Sequence, residues 1–114
     1  MNRDFIRLPE FEKQCKHLGL DDDDVFAIEF TLLDNPTSGK IIRGTGGIRK
    51  LRIPLPNVGK SGGARVIYVD YASYEKLYLI TVFAKSEIED LTQAQRNELK
   101  TLSKMLLSEL RKKG

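Results

Sequence analysis

The sequence predicts an α+β domain, a small antiparallel β-sheet with two N-terminal helices and one C-terminal helix packed against it. Three observations carry this expectation. Apolar residues recur at helical spacing in two stretches before residue 35 and again after residue 92. Between residues 50 and 83, three stretches alternate in polarity or are rich in β-branched and aromatic residues. The connections between those three are too short for the crossover of about a dozen residues that parallel pairing needs. A chain of 114 residues suits one domain, 1–114, with a single core.

Phe5-Ile6-Arg7-Leu8 reads as a short edge strand, and Pro9 suits the first position of a helix, where its missing N–H would be unpaired anyway. Phe11, Cys15 and Leu18 form a buried helical stripe, with Gly19 as the C-terminal stop. Cys15 is expected as a small core hydrophobe. As the only cysteine it excludes an intrachain disulfide and fits a reducing compartment. Asp21 to Asp24 invite a metal, but calcium loops space their ligands at alternate positions around a glycine that is missing here. Their expected role is to cap the helix of Val25 to Leu33 and complement its positive end. That helix is apolar at 25, 28 and 32 and also at 26, 30 and 33, so it is expected to be mostly buried. Asn35-Pro36 ends it.

Thr37 to Gly47 reads as a loop leading into extended structure. Leu51 and Ile53 alternate with Lys50 and Arg52, which predicts a strand with one apolar and one cationic face. Pro54 and Pro56 end it or mark a sheet edge. Asn57 to Gly63 reads as a flexible connection, Ala64 to Val69 as the next strand, and Leu77 to Phe83, apolar on both faces, as a strand inside the sheet. Thr92 and Gln95 have capping-box spacing before a helix with Leu99, Leu102, Leu106 and Leu110 on one face. Arg111-Lys112-Lys113 is a basic helix end favoured by the dipole.

The net charge of +3 hides a strong asymmetry. Residues 1–34 carry four basic and nine acidic side chains, residues 35–69 carry seven basic and none acidic, and residues 70–114 carry eight and seven. The middle segment, with Lys40, Arg43, Arg49, Lys50, Arg52, Lys60 and Arg65, has the charge pattern of a surface built for a polyanion. The first residues are too interrupted by charge for a signal peptide. The longest uncharged apolar run, 77–84, is far short of the roughly 20 residues that cross a bilayer. A cytoplasmic protein without a membrane partner is expected.

Several familiar sites are excluded by spacing. Gly59-Lys60-Ser61 lacks the earlier glycine of a P-loop, since Pro54 stands there. Gly44-Thr45-Gly46-Gly47 is followed by a strand where a dinucleotide fingerprint needs a helix, so it supplies backbone freedom beside an anion or simply a turn. His17 is the only histidine and falls beside a core stripe, so no serine–histidine–carboxylate arrangement can be argued. No cofactor or metal is expected. What remains is a set of cations, with Lys50 and Arg52 projecting from one strand face, Arg65 opening the next strand, and Lys85 ending the third.

Arg43 to Arg52, Gly62 to Tyr68 and Tyr78 to Glu87, in this order and spacing, resemble the RelE/HigB toxins of bacterial type II toxin–antitoxin modules, and within them the HigB-like branch. The resemblance covers nearly the whole chain. It implies a compact RelE-like fold and a metal-independent endoribonuclease that cleaves mRNA in the ribosomal A site. It also implies inhibition by a helix-turn-helix, HigA-like antitoxin, with operator DNA reached only through that antitoxin. The family's basic strand pair matches Lys50 and Arg52, its next-strand arginine Arg65, and its strand-ending lysine Lys85. Some relatives add an arginine directly after that lysine and a tyrosine several residues later, where this chain has Ser86 to Leu91 with neither.

RNA cleavage by its own 2′-hydroxyl needs proton removal, stabilisation of charge building on the phosphate, and protonation of the leaving 5′-oxygen. A lysine crowded by other cations gives up its proton more readily, so Lys50, between Arg49 and Arg52, is the candidate base. Arg65 is the candidate phosphate clamp, and Lys85 closes the catalytic set. Arg43, Arg49, Arg52 and Lys60 are the candidate RNA-binding residues. Two other readings use the same basic face: a non-catalytic RNA- or DNA-binding module, and an interaction domain for an acidic protein partner.

Overall fold

The computed structural model describes residues 2–56, 62–88 and 90–113. Local sequence signals set the helix ends. Helix α1 (Pro9–Leu18) starts on its proline, buries Phe11 and Cys15, and stops at Gly19, whose φ of 73° is the left-handed conformation glycine adopts without strain. Burial pushes the Cys15 thiol up to about 11, as befits an inert core side chain. Helix α2 (Asp22–Asp34) is closed by a reciprocal capping box. The Asp24 N–H donates to Asp21 Oδ1 and the Asp21 N–H to Asp24 Oδ2, both at 2.9 Å. Helix α3 (Gln93–Lys113) begins the same way, the Gln95 N–H donating to Thr92 Oγ1 at 3.1 Å and the Thr92 N–H to Gln95 Oε1 at 2.9 Å.

The expectation that α2 is mostly buried is corrected. Val25, Ile28 and Leu32 face the core, while Phe26 and Phe30 are exposed. The core touches only the arc those three residues span, so Phe26 and Phe30 on the far arc lie outside it.

Strands β1 (Asp4–Arg7), β2 (Lys40–Ile41), β3 (Arg49–Ile53), β4 (Ala64–Tyr71) and β5 (Lys76–Ala84) form one sheet in the order β1-β5-β4-β3-β2. The predicted antiparallel sheet is therefore mixed. Strands β2 to β5 pair antiparallel, but β1 lies parallel to β5, with Phe5 opposite Leu77. The short-connection argument holds for β3 to β5. It does not constrain β1, which is separated from β5 by most of the chain. Strand β5 is flanked by β1 and β4 and is apolar on both faces, as the sequence indicates. Between Ile67 and Tyr68 the β4–β5 register shifts, Ile67 facing Thr81 and Tyr68 facing Leu79. Ile80 is the extra residue, so Ile80 and Thr81 both point to the same side of the sheet.

The sheet separates two apolar layers. On one face Phe11, Cys15, Val25, Ile28 and Leu32 of α1 and α2 pack on Leu51, Val66, Tyr68, Leu77, Leu79 and Val82. On the other, Leu99, Leu102, Leu106 and Leu110 of α3 pack with Ile67, Val69, Tyr78, Ile80 and Phe83. Among the described residues no helix is long and apolar enough to cross a membrane.

Tyr68 locks the approach to β2. Its buried hydroxyl donates to the Pro36 carbonyl at 2.7 Å and accepts from the Gly39 N–H at 2.9 Å. Tyr68→Phe leaves that donor and that acceptor unpaired in the core, so the variant is expected to lose about 1–3 kcal/mol in urea unfolding at an unchanged m-value.

Candidate functional site

Pairing between β2, β3 and β4 stacks cations into two rows. Lys40 lies opposite Lys50, and Lys50 opposite Ile67. Two residues along, Arg52 lies opposite Arg65, and Arg65 opposite Phe83. Directly paired and alternate residues share a face, so Lys40, Lys50, Arg52 and Arg65 all stand on the side of the sheet that carries α3. Like charges directly opposite each other destabilise a sheet. Two such pairs side by side are a cost that a bound anion would relieve.

Around β1, three cations are ion-paired. Arg3 Nε donates to Asp70 at 2.7 Å, Arg7 Nε to Glu29 at 3.0 Å, and Lys76 pairs with Asp4. Among the described residues none of Lys40, Arg43, Lys50, Arg52 and Arg65 forms an ion pair with a carboxylate. The cations around β1 are thus paired within the fold, whereas those of the β2–β4 rows are available to a ligand.

Arg65 is fixed by the backbone before it. Its Nη1 donates to the Gly62 carbonyl at 2.8 Å and to that of Ala64 at 3.2 Å. Gly63, at φ 66°, brings this turn so close to β3 that a Cβ would sit 2.1 Å from the Ile53 carbonyl oxygen. Lys85 joins the same corner, its N–H donating to the Gly63 carbonyl at 3.0 Å and its side-chain stem lying beside Gly62. Arg52, Arg65 and Lys85 therefore sit on the adjoining ends of three neighbouring strands, with Lys50 two residues further along β3, opposite Ile67.

The other expected RNA-binding residues are placed differently. Arg49 is on the opposite face, beside Tyr68, and its Nη1 donates to the Gly39 carbonyl at 2.7 Å and to Thr37 at 3.4 Å. The like-charge neighbour of Lys50 across the sheet is Lys40, not Arg49. Arg43 is exposed in the β2–β3 turn, three residues beyond Lys40. There the glycine run serves as a tight turn around buried Thr45, whose hydroxyl donates to the Ile42 carbonyl at 2.6 Å. Ser103 of α3 donates to the Thr45 carbonyl at 3.0 Å and anchors the turn. Lys60 lies outside the described residues.

The structure adds two participants. Lys40 joins the rows through β2, whose two residues leave no periodic signal in the sequence. Asp90 is an acid within electrostatic reach of Lys50 and Lys85. The Leu91 N–H donates to it at 2.8 Å, and Lys50, Arg96 and Lys85 surround it, so its pKa is held below the usual carboxylate range. Its carboxylate lies 3.7 Å from Arg96, whose Nε is buried and unpartnered.

Beside the rows, a cleft of about 380 Å³ runs between β4–β5 and the start of α3, floored by Ile67, Thr81 and Phe83 and edged by Gln95 and Glu98. Ile67 is the residue opposite Lys50, so the cleft adjoins the cations directly. Among the described residues no group of three His, Cys, Asp or Glu side chains is placed to hold a metal ion.

The sequence model for the RelE toxin of the RelE/RelB toxin–antitoxin system matches residues 9–113. The chain belongs to the RelE toxin family. This RelE-family chain is also similar in structure to the E. coli toxin RelE, solved as an arginine-to-alanine double mutant in the free state. The likeness has a TM-score of 0.52 at 18% identity and covers 78% of this chain and 90% of that one. At that identity it shows the shared fold, three helices and a five-stranded mixed sheet. As a RelE-family toxin the chain is the toxin component of a toxin–antitoxin system, and the family's members are in general endoribonucleases that pair with an antitoxin.

Proposed function

We propose that this RelE-family toxin, acting as one domain in the cytoplasm, is a metal-independent and ribosome-dependent endoribonuclease that cuts translated mRNA and so arrests growth. The supporting observation is the double row of cations without carboxylate partners, Lys40 and Lys50 beside Arg52 and Arg65, next to an apolar cleft. Phosphates suit the rows, and an unstacked nucleobase suits a cleft floored by Phe83.

In the cleavage step the 2′-oxygen attacks the adjacent phosphorus as its proton leaves. The bond from phosphorus to the 5′-oxygen breaks, and that oxygen takes up a proton, giving a 2′,3′-cyclic phosphate and a 5′-hydroxyl. Lys50 exchanges the proton, Arg65 stabilises the charge on the phosphate, and Lys85 closes the site from the end of β5. Arg52 and Lys40 hold flanking phosphates, while Arg43 contacts RNA further along the hairpin. Arg49 serves the fold through Gly39. Asp90 is displaced from the cations when a phosphate arrives. With modest intrinsic groups, most of the rate comes from a substrate held in the reactive geometry, which is what a ribosome supplies.

The cognate antitoxin is proposed to be HigA-like, with a helix-turn-helix, and to carry any contact with operator DNA. The motifs between Arg43 and Glu87 support the HigB-like branch. Ser86, and the lack of a tyrosine through Leu91, favour a second reading in which the same face binds RNA without cutting it. Growth separates the two. Expression of the chain alone is expected to arrest cells and shorten transcripts, and Arg65→Ala is expected to restore growth at equal protein level. Arrest with full-length transcripts would support the binding module instead.

A further inference from the structure

The side of α2 turned away from the core carries an exposed apolar stripe. Phe30 is 76% exposed and Phe26 56% exposed, four residues apart, with the half-buried Leu33 three residues further on. The stripe is held in place. The Arg7 guanidinium lies 5.2 Å from the Phe26 ring centre while its Nε is ion-paired to Glu29 at 3.0 Å. On another flank of the helix, a separate groove of about 350 Å³ runs between Ala27 and Thr31 on α2 and Leu55 and Pro56 after β3. Two adjacent exposed aromatics one turn apart mark an interaction surface rather than scattered surface apolar residues.

Charge narrows the occupant. Residues 21–34 carry six carboxylates and no lysine or arginine. Arg7 pairs with two of them, Asp22 at 3.5 Å and Glu29 at 3.0 Å, which leaves the helix acidic. RNA and anionic lipid are repelled, and a second copy would bring one acidic helix against another. A protein segment that offers aliphatic side chains to Phe26 and Phe30 and flanks them with lysine or arginine satisfies both features. Helix α2 packs on the sheet face opposite the cationic rows.

We propose that the outer face of α2 docks a basic amphipathic segment of the antitoxin, on the side of the sheet opposite the RNA site. This rests on the functional reading above for the identity of the partner. The segment does not compete with RNA for Lys50 and Arg65, so docking and active-site chemistry are separable by mutation.

The test measures binding of the purified antitoxin of the same module to the full-length chain and to Phe30→Glu and Phe26→Ala variants, with growth arrest by each variant expressed alone. Both side chains are exposed, so the fold should survive, and circular dichroism confirms it. Phe30→Glu is expected to weaken binding at least tenfold and Phe26→Ala several-fold, with wild-type affinity falling as salt rises and both variants still arresting growth. Unchanged affinity in Phe30→Glu overturns the docking surface while leaving the toxin reading intact. A wild-type dimer that Phe30→Glu dissociates, or wild-type binding to phosphatidylglycerol vesicles that it abolishes, overturns it in favour of self-association or a lipid surface when antitoxin affinity is unchanged. Loss of antitoxin binding in a chain whose wild type cuts no RNA supports the surface and overturns the nuclease.

Discussion

Lys50→Ala is expected to lower mRNA cleavage by about 10²–10³-fold, the range for losing a positioned proton-transfer group or a charge stabiliser. Stability should change by no more than about 0.5 kcal/mol, because the side chain is half-buried, makes no ion pair among the described residues, and repels Lys40 across the strand. The pattern of loss separates two roles. Lys50→Arg keeps the positive charge but cannot release a proton near neutral pH. If Lys50 exchanges the proton, Lys50→Arg should be nearly as slow as Lys50→Ala in single-turnover cleavage. Recovery to within a few-fold of wild type would make Lys50 a phosphate clamp and move the proton-transfer role elsewhere.

Gly63→Ala is expected to have the largest effect on stability, at least about 3 kcal/mol in urea unfolding. Its φ of 66° disfavours any side chain, and the added Cβ would lie 2.1 Å from the Ile53 carbonyl oxygen, a backbone atom that cannot move without parting β3 from β4. Gly62→Ala is the control. It shares the positive φ of 80°, but its nearest neighbour is the flexible Lys85 stem at 3.3 Å, so only the conformational cost of about 1–2 kcal/mol remains. Because Gly63 also sets where Arg65 begins its strand, its alanine variant should lose activity even at temperatures where it stays folded.

The parts of the fold written in short-range chemistry were legible in the sequence. Pro9, Gly19, Asp21 and Thr92 mark helix ends through bonds to residues at most four away, and each does what its spacing indicates. The parallel pairing of β1 with β5 was not legible, since the register of Phe5 on Leu77 is decided by burial between distant segments. Phe26 and Phe30 misled for a related reason, because apolar residues around a helix say nothing about which arc finds a neighbour. At the site, alternation correctly put Lys50 and Arg52 together. The same alternation already excluded Arg49 from that face, a signal overridden by counting charge along the segment. Lys40 depends on a strand too short to show a period, and Asp90 reaches the cations only through the path of the chain between β5 and α3.

Mapping the RNA ends produced by the purified chain, on mRNA engaged by translating ribosomes and on the same mRNA alone, tests the nuclease assignment of the cationic face most directly. New ends within the reading frame are expected only with ribosomes, and they should vanish in the Lys50→Ala, Arg65→Ala double variant. Cutting that persists undiminished in that folded double variant would contradict the assignment of the β2–β4 cations as the site.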